Sequence, residues 1–231
     1  MTATADTIVI GGGMVGSAIA WGLCRRGIKV LVLDGADDAE RAARANFGLV
    51  WGQSKGDGLA EYAHWTREAI ALWPAFQDEL LNLTGVSCGF SGNGGLHLCM
   101  SEAELESRRA LFARMERIGG ENPLDLRVLD QGEAADLVPG IGADVVGQDG
   151  HASPHGLLLA MHRAIQAQGG EILSNHAVTS IGRENGIWKI ESGQSRFEAA
   201  AVVLAAGTAN RALGTMLALD IPVFGLKGQI L

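Results

Sequence analysis

The residues best placed to do chemistry are Gly11, Gly12, Gly13, Met14, Val15 and Gly16, with Asp34 following them. An apolar strand, Thr7–Ile10, runs into this glycine-rich turn. A small-residue helix follows, and a second apolar strand, Lys29–Leu33, ends in Asp34. That order is the one a dinucleotide site requires. Gly11 lets the chain turn sharply out of the strand, where positive φ is cheap only for glycine. Gly13 has no side chain, so a pyrophosphate can approach the backbone, and Gly16 lets the helix pack close to the strand. The phosphates would then sit on unpaired N–H groups at the positive end of a helix dipole. Asp34 stands 23 residues after Gly11, a separation that suits a carboxylate hydrogen-bonded to ribose hydroxyls. An acid there would repel a 2′-phosphate, which disfavours NADP.

Glycine is common in this chain, 33 of 231 residues, so the spacing alone is weak and also fits an ordinary glycine-rich turn. Its context strengthens it. Ala20 and Gly27 extend the pattern to GxGxxGxxxAxxxxxxG, with small residues wherever helix meets sheet. This first unit does not by itself separate FAD from NAD. A domain of the NAD type would continue directly into another strand–helix–strand repeat. Here a long, barely periodic loop, residues 35–56, intervenes, and long loops in compact domains are usually functional.

The elements that must position these residues are legible in outline. Apolar spacing from Leu59 to Leu80 predicts a helix over 59–83, kinked or restarted at Pro74, with Trp65 and Trp73 on its buried face. Residues 85–98 read as strands and turns. Ser101 to Glu104 fits a capping box opening a helix that ends at Gly119-Gly120. Ser153-Pro154 is an N-cap and first-turn pair for a helix running to Gln168. A strand at Glu171–Ser174 and a meander at 178–181, 186–192 and 195–198 follow. Ala201–Leu204 is an all-apolar strand of the kind found in covered parallel sheets.

The length allows one large or two small domains. Net charge is −8 with scattered Lys and Arg, which argues against a nucleic-acid partner. No stretch suits a transmembrane helix, and the N-terminus lacks the basic region of an export signal. Cys24, Cys88 and Cys99 form no CxxC pair and read as reduced thiols of a cytoplasmic protein. His151 and His155 are separated by Pro154 and so do not present one helical metal-binding face; no metal is expected. No Ser-His-Asp or Cys-His constellation stands out, so no catalytic residue is assigned.

Together with the fingerprint, three further segments carry a resemblance: Ala43 to Val50, Gly94 to Leu98 with the Ser101 helix, and the run from Asp149 through Ser153-Pro154 to Ala206-Gly207 and on to Gly228-Gln229-Ile230. In this combination the chain resembles the FAD-dependent D-amino-acid oxidase superfamily of glycine, sarcosine and D-amino-acid oxidases and their dehydrogenase relatives. Loop 43–54, with its ANFGLVWGQS run, is most similar to the opine-oxidase and cyanide-synthase small-subunit branch. The resemblance implies an α/β fold: a Rossmann-like FAD-binding domain with a parallel sheet and β-meander, over 1–83 and 139–219. An incomplete α+β substrate domain would be interleaved with it, over 84–138 and 220–231. It implies that Gly11 to Gly16 hold the pyrophosphate and Asp34 the adenosine ribose. Arg44, Ala45 and Asn46 would lie along the phosphates and flavin, with Arg41 near them. The backbone of Val178 would meet the adenine edge, and Ala206-Gly207 would make a second close approach. His97 would sit on a strand that either faces the flavin or is simply sheet structure, and Trp51 and Gln53 would follow the flavin loop within reach of the ring. The implied activity is FAD-dependent oxidation of the C–N bond of an amino acid, opine or secondary amine. Family members continue beyond Leu231, so a truncated chain is expected. The alternatives are a non-catalytic FAD-binding subunit needing further chain, a partner subunit or a homo-oligomer, and an NAD-dependent dehydrogenase.

Overall fold

The computed structural model describes residues 2–35, 42–137, 144–147 and 149–226. In chain order the elements are β1 (Thr2–Ile10), α1 (Met14–Cys24), β2 (Val30–Leu33), α2 (Ala42–Ala45), β3 (Leu49–Val50), α3 (Ala60–Thr84) and β4 (Gly95–Leu98). Then come α4 (Glu102–Ile118), β5 (Arg127–Val128), α5 (Gln131–Leu137), β6 (Asp144–Gly147), β7 (Gly150–His151) and α6 (Pro154–Ala167). β8 (Glu171–Leu173), β9 (Ser180–Glu184), β10 (Ile187–Ser192), β11 (Ser195–Leu204) and α7 (Asn210–Met216) complete the order. They divide into two compact units, each built from separate stretches of chain: Met1–Asn46 with Asn82–Val86 and Leu157–Leu231, and Phe47–Leu81 with Ser87–Gly156.

The first unit is an α/β structure on a mixed six-stranded sheet in the order β8-β2-β1-β11-β10-β9. β8, β2, β1 and β11 run parallel, and β10 and β9 add an antiparallel meander. β2 is buried along its whole length, as befits a strand covered on both faces. One face of the sheet presents Ile8, Ile10, Leu31, Leu33, Ile190 and Phe197, with Leu213 of α7 among them. Each such side chain contributes about 1.5–3 kcal/mol when fully buried. α1 covers β-structure with Ser17, Ala20, Trp21 and Cys24 on its buried side.

β11 differs from the expectation of two separate strands. It runs unbroken for ten residues, because Ala199 pairs with Trp188 on one edge and Ala5 on the other. Alanine weakens the local strand signal, but a residue paired on both sides has its backbone groups satisfied regardless. The same pairing extends β1 back to Thr2, which lies opposite Arg196.

The second unit holds a three-stranded antiparallel sheet, β4-β6-β5, and the short ladder β3-β7. α4 starts at the expected N-cap, with Ser101 Oγ accepting from the Glu104 N–H at 3.2 Å; Glu104 accepts from the Met100 N–H at 2.7 Å, one residue before the N-cap N–H of a full capping box. Of the kink or restart expected at Pro74 the restart does not occur, since α3 continues through it as one helix. One expectation for α3 is corrected. Trp65 is 70% exposed, so it does not belong to a buried face. Trp73 does pack, stacked on Phe90 at 5.1 Å between ring centroids. Helical spacing identifies a stripe; it does not say how far along the helix the stripe is covered.

Candidate dinucleotide site and its supporting loop

The glycine-rich turn sits at the carboxyl ends of the parallel strands, where open α/β sheets bind ligands. Its start is fixed from both sides: the Gly11 N–H donates to Leu33 O at 2.8 Å, and the Ala205 N–H donates to Ile10 O at 2.8 Å. Gly11 has φ +110°, and a Cβ there would lie 2.4 Å from Ala205 O. At Gly16 a Cβ would lie 1.9 Å from Gly11 O. These two contacts are the physical content of the fingerprint: the turn closes only where backbone meets backbone. A Cβ on Gly12 would meet the Asp34 carboxylate at 3.1 Å, so the acid lies beside the turn. Gly13 is different, since among the described residues beyond its chain neighbours the nearest atom to a Cβ there is Ala43 Cβ at 4.0 Å.

Gly13 is the N-cap of α1, no side chain caps it, and the first turn carries no acid. A helix start left without a side-chain acceptor offers its N–H groups to an anion. The bare approach at Gly13 and the neighbouring Asp34 therefore fit a dinucleotide diphosphate and its ribose.

The other anticipated residues fall at or near this end of the sheet. Ala206 borders Gly11, with its Cα 2.8 Å from a Cβ built on that glycine. Asn210 shapes the turn there, accepting from the Ala206 N–H at 2.8 Å and donating to Leu204 O at 3.3 Å. Gly207, with φ +59°, follows directly. Val178 lies in the segment between β8 and β9, partly packed on the core. That segment joins Asp34 through the His176 N–H, which donates to Asp34 O at 2.6 Å. Ala45 closes α2 and Asn46 follows it, both exposed. Arg41 and the Arg44 side chain lie outside the described residues.

Three side chains that sequence reasoning missed support the turn. Asn210 is one. Ser17 is fully buried, and its Oγ donates to Gly12 O at 3.1 Å. His162 of α6 brings Nε2 within 3.0 Å of both Gly12 O and Ser17 Oγ. Ser17 directly follows the last fingerprint glycine, a visible signal, whereas nothing in the local sequence ties His162 to a turn 150 positions earlier.

The second unit contains the loop that follows α2. The Ala152 N–H donates to Gly48 O at 2.8 Å, and β3 pairs with β7. The Gly52 N–H donates to Asp149 Oδ1. Gln53 Nε2 donates to Gly95 O at 2.8 Å. Asp149 is 1% and Gln53 0% exposed, and the Gln53 side chain is buried on backbone of its own unit. Trp51 Nε1 donates to Ser54 Oγ at 3.3 Å. Asp149 Oδ2 and Gln53 Oε1 find no hydrogen-bond partner among the described residues. Burial pushes the Asp149 carboxyl above its ordinary value, against the pull of the Gly52 N–H and the Gln53 amides. His97 sits in β4, where Arg108 Nη2 donates to its ring, 2.6 Å from Nε2.

Comparison with known proteins agrees with this geometry. The family model described as FAD dependent oxidoreductase (DAO) matches residues 6–231. An opine oxidase subunit of Agrobacterium tumefaciens (strain Ach5) is 40% identical over 98% of this chain and 62% of its own length. Glycine oxidase of Bacillus licheniformis is 26% identical over 98% of this chain and 60% of its own. The crystal structure of glycine oxidase from Geobacillus kaustophilus superposes with a TM-score of 0.85 at 24% identity, over 95% of this chain and 60% of that one. At that identity the superposition establishes the fold. The chain thus spans about three-fifths of the length of the curated relatives it matches. It belongs to the DAO family of FAD-dependent oxidoreductases.

Proposed function

We propose that this chain is the FAD-binding part of an enzyme that oxidises the C–N bond of an amino acid, opine or secondary amine. The observation that carries the reading is the α1 start, bare at Gly13 and flanked by Asp34, in a chain whose family match runs from residue 6 to 231. Gly11 to Gly16 hold the diphosphate on backbone N–H groups, and Asp34 accepts from the adenosine ribose. Val178 meets the adenine edge with its backbone. Ala206 and Gly207 make the second close approach, and Ala45 and Asn46 lie along the phosphates and flavin; Arg41 and the Arg44 side chain, outside the described residues, are assigned the same role. The Rossmann-like cofactor domain is read as 1–83 and 139–219, with 84–138 and 220–231 assigned to the substrate domain. The protein is read as cytoplasmic; no helix among the described residues is long and apolar enough to cross a membrane.

When bound, FAD supplies the electron acceptor for removal of a hydride from the carbon that bears the amine. The chain's own contribution is to bind and orient, through a helix start that meets the diphosphate's negative charge. The relative from Agrobacterium tumefaciens is named as one subunit of an opine oxidase, which supports a second reading in which a partner subunit completes the enzyme.

The test is anaerobic. The chain loaded with FAD is mixed in turn with an opine, glycine and sarcosine, and loss of flavin colour is followed. Bleaching by one of them supports an amine oxidoreductase and ranks the substrates. Retained colour with all three, together with bleaching once a partner chain is added, favours the reading in which the chain needs that partner. NAD is expected to leave the melting temperature unchanged, whereas FAD at about 100 times its Kd raises stability by about 2.7 kcal/mol.

A further inference from the structure

We infer that His162 is a positioning residue for the diphosphate: it holds the Gly12–Gly13 peptide so that the Gly13 N–H faces the ligand. This rests on the dinucleotide-site reading above.

The Gly12 carbonyl is turned inward. It accepts from Ser17 Oγ at 3.1 Å and lies 3.0 Å from His162 Nε2. A carbonyl oxygen only accepts, and the Ser17 hydroxyl has a single proton, already directed at Gly12 O. The arrangement closes when His162 carries its proton on Nε2 and donates into the pair Gly12 O and Ser17 Oγ, both at 3.0 Å. The Gly12–Gly13 peptide is planar and trans, so its N–H points opposite to its C=O. Fixing the oxygen toward α6 therefore directs the Gly13 N–H away from α6; at Gly13 itself a Cβ would meet, among the described residues beyond its chain neighbours, no atom closer than Ala43 Cβ at 4.0 Å.

The peptide needs such a hold. Both residues flanking it are glycines, which rotate at low steric cost. Neither has a side chain to fix the plane, and the N-cap has no side-chain hydrogen bond. Ser17 supplies one donor from the same helix. His162 supplies the second, and it joins α6 to the turn so that the peptide orientation is set by the fold and not by the local chain alone. The effect should be confined to ligands with a diphosphate, because adenosine alone does not reach the Gly13 N–H.

The experiment measures binding of FAD, ADP and adenosine to the wild-type chain, His162→Leu and His162→Gln, with the ligand-free melting temperature of each. Leu removes the donor at similar bulk. Gln places an amide N–H near the position of Nε2. His162→Leu should weaken FAD and ADP roughly tenfold or more, the range for losing one charge-assisted hydrogen bond, and leave adenosine unchanged; His162→Gln should restore most of the loss. Unchanged FAD and ADP affinity in His162→Leu overturns the inference, and so does an equal loss for all three ligands, which would mean general loosening. If His162→Leu does not fold, Ser17→Ala probes the same carbonyl, and it should weaken ADP but not adenosine; no selective loss there overturns the inference. A wild-type chain that binds neither FAD nor ADP overturns both this inference and the dinucleotide reading, whereas wild-type binding with no selective loss in either variant overturns this inference alone.

Discussion

The glycine-rich turn at 11–16 and the loop at 48–53 are both short stretches of irregular backbone, and they are held by opposite means. The turn is held largely by missing side chains: Gly11 and Gly16 let backbone approach backbone where any Cβ would collide. The loop is held by two buried side chains, one from far away in sequence and one of its own that reaches a distant backbone carbonyl. Asp149, 97 positions on, takes the Gly52 N–H, and Gln53 reaches Gly95. A turn built on close backbone contacts responds to added volume. A loop built on buried carboxyl and amide groups leaves acceptors over, here Asp149 Oδ2 and Gln53 Oε1 among the described residues, and so becomes sensitive to protonation.

The sharpest way to break the comparison is to fill the turn. Gly11→Ala places a methyl 2.4 Å from Ala205 O at a φ of +110°. Overpacking and backbone strain together should cost about 3–5 kcal/mol, enough to lower the melting temperature by about 10 °C or more. A thermal melt reads it, and FAD retention should be lost with it.

The loop should respond to chemistry rather than to volume. Asp149→Ala leaves the Gly52 N–H without its acceptor and opens a void, for an expected loss of about 2–4 kcal/mol in urea unfolding. Asp149→Asn keeps the shape and should lose under about 1.5 kcal/mol at neutral pH. The pH dependence separates the two further. The fold holds the Asp149 pKa above its ordinary 3.8, so between those values the native state keeps a proton that the unfolded chain releases. Its stabilising share is fully present at and below about pH 4 and is lost as pH rises through the native value. The difference in stability between wild type and Asp149→Asn should therefore shift in favour of Asn as pH is raised from about 4, and a flat difference would mean that the carboxyl is not perturbed.

Much of the turn was legible because its determinants are contiguous. Gly11 to Gly16 and Asp34 act within one or two elements, and their spacing carries the geometry; the helix starts at Ser101 and Ser153 are legible for the same reason. Less of its support was legible, because His162 and Asn210 act through a single atom or two each, a feature that periodicity does not encode. The clamp of loop 48–53 escapes sequence reading for the same reason, since Asp149 and Gly95 meet it through single atoms far along the chain. α3 shows the converse limit. Trp65 and Trp73 share a stripe in sequence, but only Trp73 stacks on a ring from outside the helix, Phe90. Trp73→Ala should accordingly cost about 1–3 kcal/mol, whereas Trp65→Ala, at a 70% exposed position, should stay within about 0.5 kcal/mol.

The smallest effect concerns the thiols. Cys24 and Cys88 are buried, and burial raises both thiol pKa values. A thiol reagent at about pH 8 should label the partly exposed Cys99 first and reach the other two only on unfolding. Fast labelling of all three would show that the cores of both units open readily.

The visible absorption spectrum of the purified chain, followed by denaturation and identification of whatever is released, tests the central claim most directly. The account predicts a two-banded flavin spectrum, and release of FAD, from the chain as purified or after incubation with FAD. A protein that stays colourless after incubation with FAD, and whose melting temperature FAD does not raise, would contradict it.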